Sequence, residues 1–126
     1  MSLQTPIARA RGLGSAKNGS EHWIVQRVTA VLLLPLTLWF LYFACSLVGA
    51  DYASVKAAVA QPWCAALLAS FMIIVLYHAQ LGLQVVIEDY LHVRWLEISA
   101  LVIVKFIAFF GSIVVLLALA RVALGA

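Results

Sequence analysis

Four residues in this chain combine reactive chemistry with a regular spacing: His78, Gly82, Asp89 and Tyr90. In a helix of 3.6 residues per turn, His78, Gly82, Val85 and Asp89 fall at about 0°, 40°, 340° and 20°, forming one stripe with a base, a gap and an acid. Gly82 removes the side chain that would otherwise keep a flat ligand, or another backbone, from lying against the imidazole. A neutral imidazole in apolar surroundings needs a partner for each ring nitrogen. Two arrangements meet that need. One is a hydrogen bond to a neighbouring helix. The other is axial ligation of a haem iron by one nitrogen while the second nitrogen donates.

The elements that position this stripe are legible from composition. The chain has 126 residues, 66% of them hydrophobic and 10% charged, with a mean hydropathy of +1.09. These values belong to integral membrane proteins. At roughly 20 residues per span, three apolar stretches fill this length and leave no room for a water-soluble catalytic domain, so soluble chemistry is expected to reside in a partner. The predicted fold is all-α, an integral membrane protein of three transmembrane helices over about residues 24–48, 63–87 and 98–124, packing with a second membrane chain. Residues 1–20 read as a polar, flexible or loosely docked arm, and residues 21–126 as one anchor domain. The first apolar segment is too long for the core of a cleaved secretory signal and is expected to stay as a true span.

Span one carries Gln26 and Arg27 near its start and Pro35 inside it, where a kink is expected. A connection of a dozen residues, 49–61, contains Asp51 and Lys56, and Pro62-Trp63 opens span two. Gln80 and Gln84 form an i, i+4 pair on the face away from His78 and are expected to bond another helix. A second, charged connection, 88–97, holds Tyr90, His92, Arg94 and Trp95 at interface depth. Span three contains Lys105, whose flexible stem can snorkel, and ends at Arg121.

The net charge of +3 and pI near 9.1 arise largely from Arg9, Arg11, Lys17 and Arg27. No aromatic-and-basic surface accompanies them, so the bias reflects membrane topology and not a nucleic-acid partner. With Arg94 on the same side against Lys56 and Arg121 opposite, the N-terminus is expected to face the cytoplasm, or the matrix in a mitochondrion. Cys45 and Cys64 are too far apart for a metal-binding CxxC and read as small buried hydrophobes in preference to a disulfide.

His78 stands about 12 residues, roughly 18 Å, from Tyr90 along the helix, well inside the hydrocarbon. His22 and His92 fall near span ends, so a second deep histidine ligand would have to come from another membrane chain. Arg27 is placed to pair with a carboxylate or a haem propionate, or to snorkel to headgroups as a positive-inside charge. Asp89 and Tyr90 sit where an amphipathic quinone enters from the lipid with its head near water. The phenol can donate to a quinone carbonyl and the carboxylate can orient it or relay protons. A helix end with an interfacial tyrosine is the simpler reading of the same pair.

The ordered pattern of His78, Gly82, Asp89 and Tyr90 resembles the family of small hydrophobic membrane-anchor subunits of succinate dehydrogenase, respiratory complex II. Asn18-Gly19, Trp23 and Arg27-Val28-Thr29-Ala30, leading into span one, look like the N-terminal segment of that family, and the resemblance extends from about Lys17 to the end. It implies an anchor with no catalysis of its own, in a bacterial cytoplasmic membrane rather than a mitochondrial inner membrane. The implied partners are a second membrane-anchor subunit, with which haem b is shared, an iron-sulfur subunit with its clusters, and a flavoprotein subunit that carries FAD. By position, His78 would be the haem axial ligand, Arg27 a propionate contact, and Tyr90 and Asp89 part of the ubiquinone site. His22 would be no more than a propionate or subunit contact. The alternative from a different class is a structural anchor or small transporter subunit with neither haem nor quinone.

Overall fold

The computed structural model describes residues 19–125 and the positions Thr5 and Ile7. The polar arm expected over residues 1–20 therefore lies outside the described residues, apart from Thr5, Ile7 and the backbone that begins the first helix. The described chain is all-α: α1 (Gly19–Ser46), α2 (Tyr52–Ala60), α3 (Pro62–Tyr90) and α4 (Arg94–Ala123). Three of these, α1, α3 and α4, are long and apolar enough to cross a membrane.

Each long helix is longer than the span read from hydropathy and starts before it, although the first stops at Ser46 and the last at Ala123, just short of the expected ends. At 1.5 Å per residue, the 29 residues of α3 and the 30 of α4 reach roughly 45 Å. The hydrocarbon core is roughly 30 Å thick, so the helix ends stand in the headgroup layers. Hydropathy marks only the apolar middle, whereas the helix continues through polar residues because doing so keeps its backbone hydrogen bonds. The connection expected over 88–97 thus shrinks to residues 91–93. Arg94 opens α4 and donates to the Glu97 carboxylate at 3.3 Å, one turn on. Pro35 lies within a helix that continues on both sides of it.

The connection expected over 49–61 contains a helix that the apolar pattern did not reveal. Gly49, at a φ of 82°, takes the left-handed conformation that an L side chain resists, and turns the chain out of α1. Asp51 then caps α2 by accepting a hydrogen bond from the Ser54 backbone N–H at 3.1 Å. The Ser54 hydrogen bonds hold the Asp51 carboxyl below the usual carboxylate range. So short a helix depends on its cap and on packing against α3 and α4.

α3 stands between α1 and α4, which do not touch each other among the described residues. Phe40 and Phe71 stack at 4.8 Å to join α1 to α3. Gly111 lets α4 approach α3, since a Cβ there would lie 3.4 Å from a Leu76 methyl. Among the described residues only Leu81, Thr29 and Gln80 are buried. Large apolar side chains such as Leu34, Leu38, Phe106 and Phe109 point outward, as they do when lipid or another apolar chain is the solvent. For the same reason Cys45, expected to be buried, is exposed, while Cys64 is half-buried; both are free thiols.

Candidate functional site

One cluster of polar groups within the apolar spans lies where α1 packs against α3. On α1, His22, Gln26 and Thr29 follow one another at i, i+4 and i+7, within about 60° of arc, and so share a face. On α3, His78 and Gly82 face them. The Thr29 hydroxyl oxygen lies 2.8 Å from His78 Nδ1, and the Gln26 side-chain nitrogen lies 3.4 Å from His78 Nε2. Thr29 is 6% exposed, the least exposed polar residue described.

The protons in this seam can be placed from the contacts. Thr29 Oγ1 is also 2.9 Å from the Val25 carbonyl and 3.0 Å from the Gln26 carbonyl, so its single proton has backbone acceptors within its own helix. With that proton given to a carbonyl, the oxygen accepts from Nδ1–H of His78. The Nε2 lone pair is then left facing the Gln26 amide nitrogen, at a distance longer than a good N–H hydrogen bond. The amide oxygen of Gln26 and Nε2 of His22 are buried with no partner among the described residues. Buried polar atoms are normally satisfied, so these two stand out within the seam.

Gly82 serves this arrangement directly. A Cβ at that position would sit 3.7 Å from the Gln26 amide nitrogen. The gap in the stripe is thus taken up by a side chain from α1, where the sequence pointed to a flat ligand or another backbone.

The other expected residues stand apart from the seam. Arg27 lies about 160° around α1 from Thr29, exposed, with its guanidinium 5.2 Å above the Trp23 ring, a cation–π geometry. The structure does not bring it to His78. Asp89 and Tyr90 lie at the foot of α3, and Tyr90 is 77% exposed. They are exposed together at one helix end, roughly 18 Å below His78.

The opposite face of α3 behaves differently from what its pattern suggested. Gln80, expected to reach another helix, donates to Gln84 Oε1 at 3.3 Å. Gln84 in turn donates to Glu88 Oε1 at 2.8 Å. The amides form a ladder down their own helix because i, i+4 spacing places each donor beside the next acceptor.

Thr29 and Gln26 carry roles in the seam that sequence reading did not assign to them. The signal was present in the polar residues at 22, 26 and 29, on one face of an otherwise apolar segment.

The family described as "Succinate dehydrogenase/Fumarate reductase transmembrane subunit" matches residues 1–120. The chain is 39% identical over 103 residues, 82% of each chain, to the succinate dehydrogenase hydrophobic membrane anchor subunit of Rickettsia bellii (strain RML369-C). It is 34% identical over 86 residues to the protein of the same name from Paracoccus denitrificans, covering 68% of this chain and 67% of that one. It is 30% identical over 95 residues to the succinate dehydrogenase membrane anchor subunit of Reclinomonas americana, covering 73% and 79% respectively. No solved structure matches it.

Proposed function

We propose that this chain, which belongs to the succinate dehydrogenase/fumarate reductase transmembrane subunit family, is the membrane anchor of a succinate:ubiquinone oxidoreductase. In this reading it holds an iron-sulfur subunit and a flavoprotein subunit at the bacterial cytoplasmic membrane, with its N-terminus on the cytoplasmic side. It pairs with a second anchor subunit, shares haem b with it, and lends residues to the ubiquinone site. Succinate is oxidised at FAD in another chain.

The observation that carries the haem assignment is the donor set of His78. Its Nδ1 has a close partner in Thr29, and its Nε2 has only a long contact to an amide, so Nε2 is the nitrogen with a lone pair to give to iron. Gln26 can turn away from Nε2 at little cost, because its amide oxygen has no partner to lose among the described residues. When bound, haem b supplies a one-electron redox centre within the membrane. Each His78 ring nitrogen would then have a defined use: Nε2 would hold the iron and Nδ1 would orient the ring. Arg27, held over Trp23, is the guanidinium that would pair with a haem propionate. Tyr90 donates its phenolic proton to a quinone carbonyl at the membrane edge, with Asp89 beside it to accept protons from water. The outward apolar faces of α1 and α4 are where the second anchor subunit and lipid would pack.

A second reading, an anchor without haem, draws on the same seam, since both ring nitrogens of His78 have neighbours within the chain. Purification in mild detergent separates the two: the redox reading requires flavin, iron and b-type haem in one particle, and an intact flavoprotein assembly lacking haem would favour the plain anchor. In the same preparation Tyr90→Phe should lower quinone reduction by about tenfold, the scale of one hydrogen bond that tightens during the reaction. Succinate oxidation by a flavin-level artificial acceptor should be unchanged. Equal rates in both assays would return Tyr90 to the role of an interfacial anchor.

A further inference from the structure

We infer that Thr29 is a positioning residue for the haem ligand: its hydroxyl accepts the Nδ1 proton of His78 and thereby fixes the rotation and tautomer of the imidazole that presents Nε2 to iron. The inference rests on the haem reading above. Threonine hydroxyls in apolar helices often bond back to a carbonyl one turn earlier and do nothing else. Here the same oxygen also meets an imidazole of another helix at 2.8 Å, and the residue is 6% exposed, so water does not compete for either bond.

Ligation decides the direction of the bond. An Nε2 that binds iron carries no proton, so the ring proton is on Nδ1 and needs an acceptor. Among the described residues, Thr29 supplies the one side-chain hydrogen-bonding atom within reach of His78 Nδ1. Its own proton goes to the Val25 carbonyl at 2.9 Å or to that of Gln26 at 3.0 Å. The chain Nδ1–H to Oγ1–H to backbone carbonyl ties the ring to the rigid frame of α1. A hydrogen bond from the ligating imidazole increases its electron donation to the metal and favours the oxidised state. Its loss should raise the haem midpoint potential.

The test uses the assembled complex with Thr29→Val, which keeps the shape and removes the hydroxyl, and Thr29→Ser, which keeps the hydroxyl. The readouts are the haem midpoint potential and the low-spin EPR g-values. Thr29→Val should shift the potential upward and broaden or split the g-values as the ring loses its fixed angle, while Thr29→Ser should restore both to the parent values. Parent values in Thr29→Val would overturn the inference. If that variant does not assemble, pulsed EPR of the unaltered oxidised haem decides it, because the Nδ1 proton must show a hydrogen-bonded coupling and a free N–H coupling would overturn the assignment. The haem reading fails separately, through a haem spectrum that does not depend on His78.

Discussion

The two faces of α3 both carry polar side chains inside the membrane, and they satisfy them in opposite ways. On the α4 side, Gln80, Gln84 and Glu88 pass hydrogen bonds down a single helix at 3.3 and 2.8 Å. On the α1 side, His78 reaches across to Thr29 and Gln26 on another helix, and two buried polar atoms nearby have no partner among the described residues. An amide is both donor and acceptor along its length, so i, i+4 spacing lets amides serve one another. A histidine ring presents its two nitrogens in diverging directions and must find partners beyond its own helix. The self-contained ladder reads as a structural device. The incompletely satisfied seam is where the proposed haem ligand, His78, stands.

The contrast between the two faces is most sensitive to substitution at Gly82. Gly82→Leu puts a branched side chain where the Gln26 amide lies and should force α1 away from α3, at about 1–3 kcal/mol for overpacking. Gly82→Ala should be far milder, since its Cβ would meet Gln26 at an ordinary 3.7 Å. Thermal denaturation of the detergent-solubilised complex reads the difference; a leucine variant as stable as the parent would mean that the seam is loosely held. A smaller effect is expected on the ladder. Gln84→Leu removes both of its bonds and should cost about 1 kcal/mol, at roughly 0.6 kcal/mol per side-chain hydrogen bond between membrane residues. The haem spectrum should stay unchanged. If that variant altered the haem signal, the two faces would be coupled and their division of labour would not hold.

Much of this was legible in the sequence, for identifiable reasons. The three spans follow from hydropathy, which is a sum over many residues and tolerates local error. The stripe containing His78, Gly82 and Asp89 follows from helical spacing alone. What hydropathy could not reveal was α2, because nine residues of mixed character become a helix through the Asp51 cap and through packing. The partners of His78 were hidden for a different reason: Thr29 lies 49 positions away in sequence, and only the rotation of α1 about its axis decides which of its faces meets α3. That rotation also separates Arg27 from His78, although both stand in apolar spans. The pairing of Gln80 with Gln84 was visible as spacing, but its satisfaction within one helix depended on Glu88 extending the ladder to the interface.

The stripe on α3 thus divides into two places on one helix. His78 and Gly82 face α1 within the bilayer, and Asp89 with Tyr90 stands exposed at its edge. Geometry and the proposed function meet at His78 Nε2, which we propose as the haem iron ligand. That assignment is tested most directly by the reduced-minus-oxidised optical spectrum of the purified complex carrying His78→Ala, with the flavoprotein and iron-sulfur subunits still bound. The expected result is that the b-type haem signal is lost or strongly shifted while succinate oxidation by a flavin-level acceptor persists. An unaltered haem spectrum in that assembled variant would contradict it.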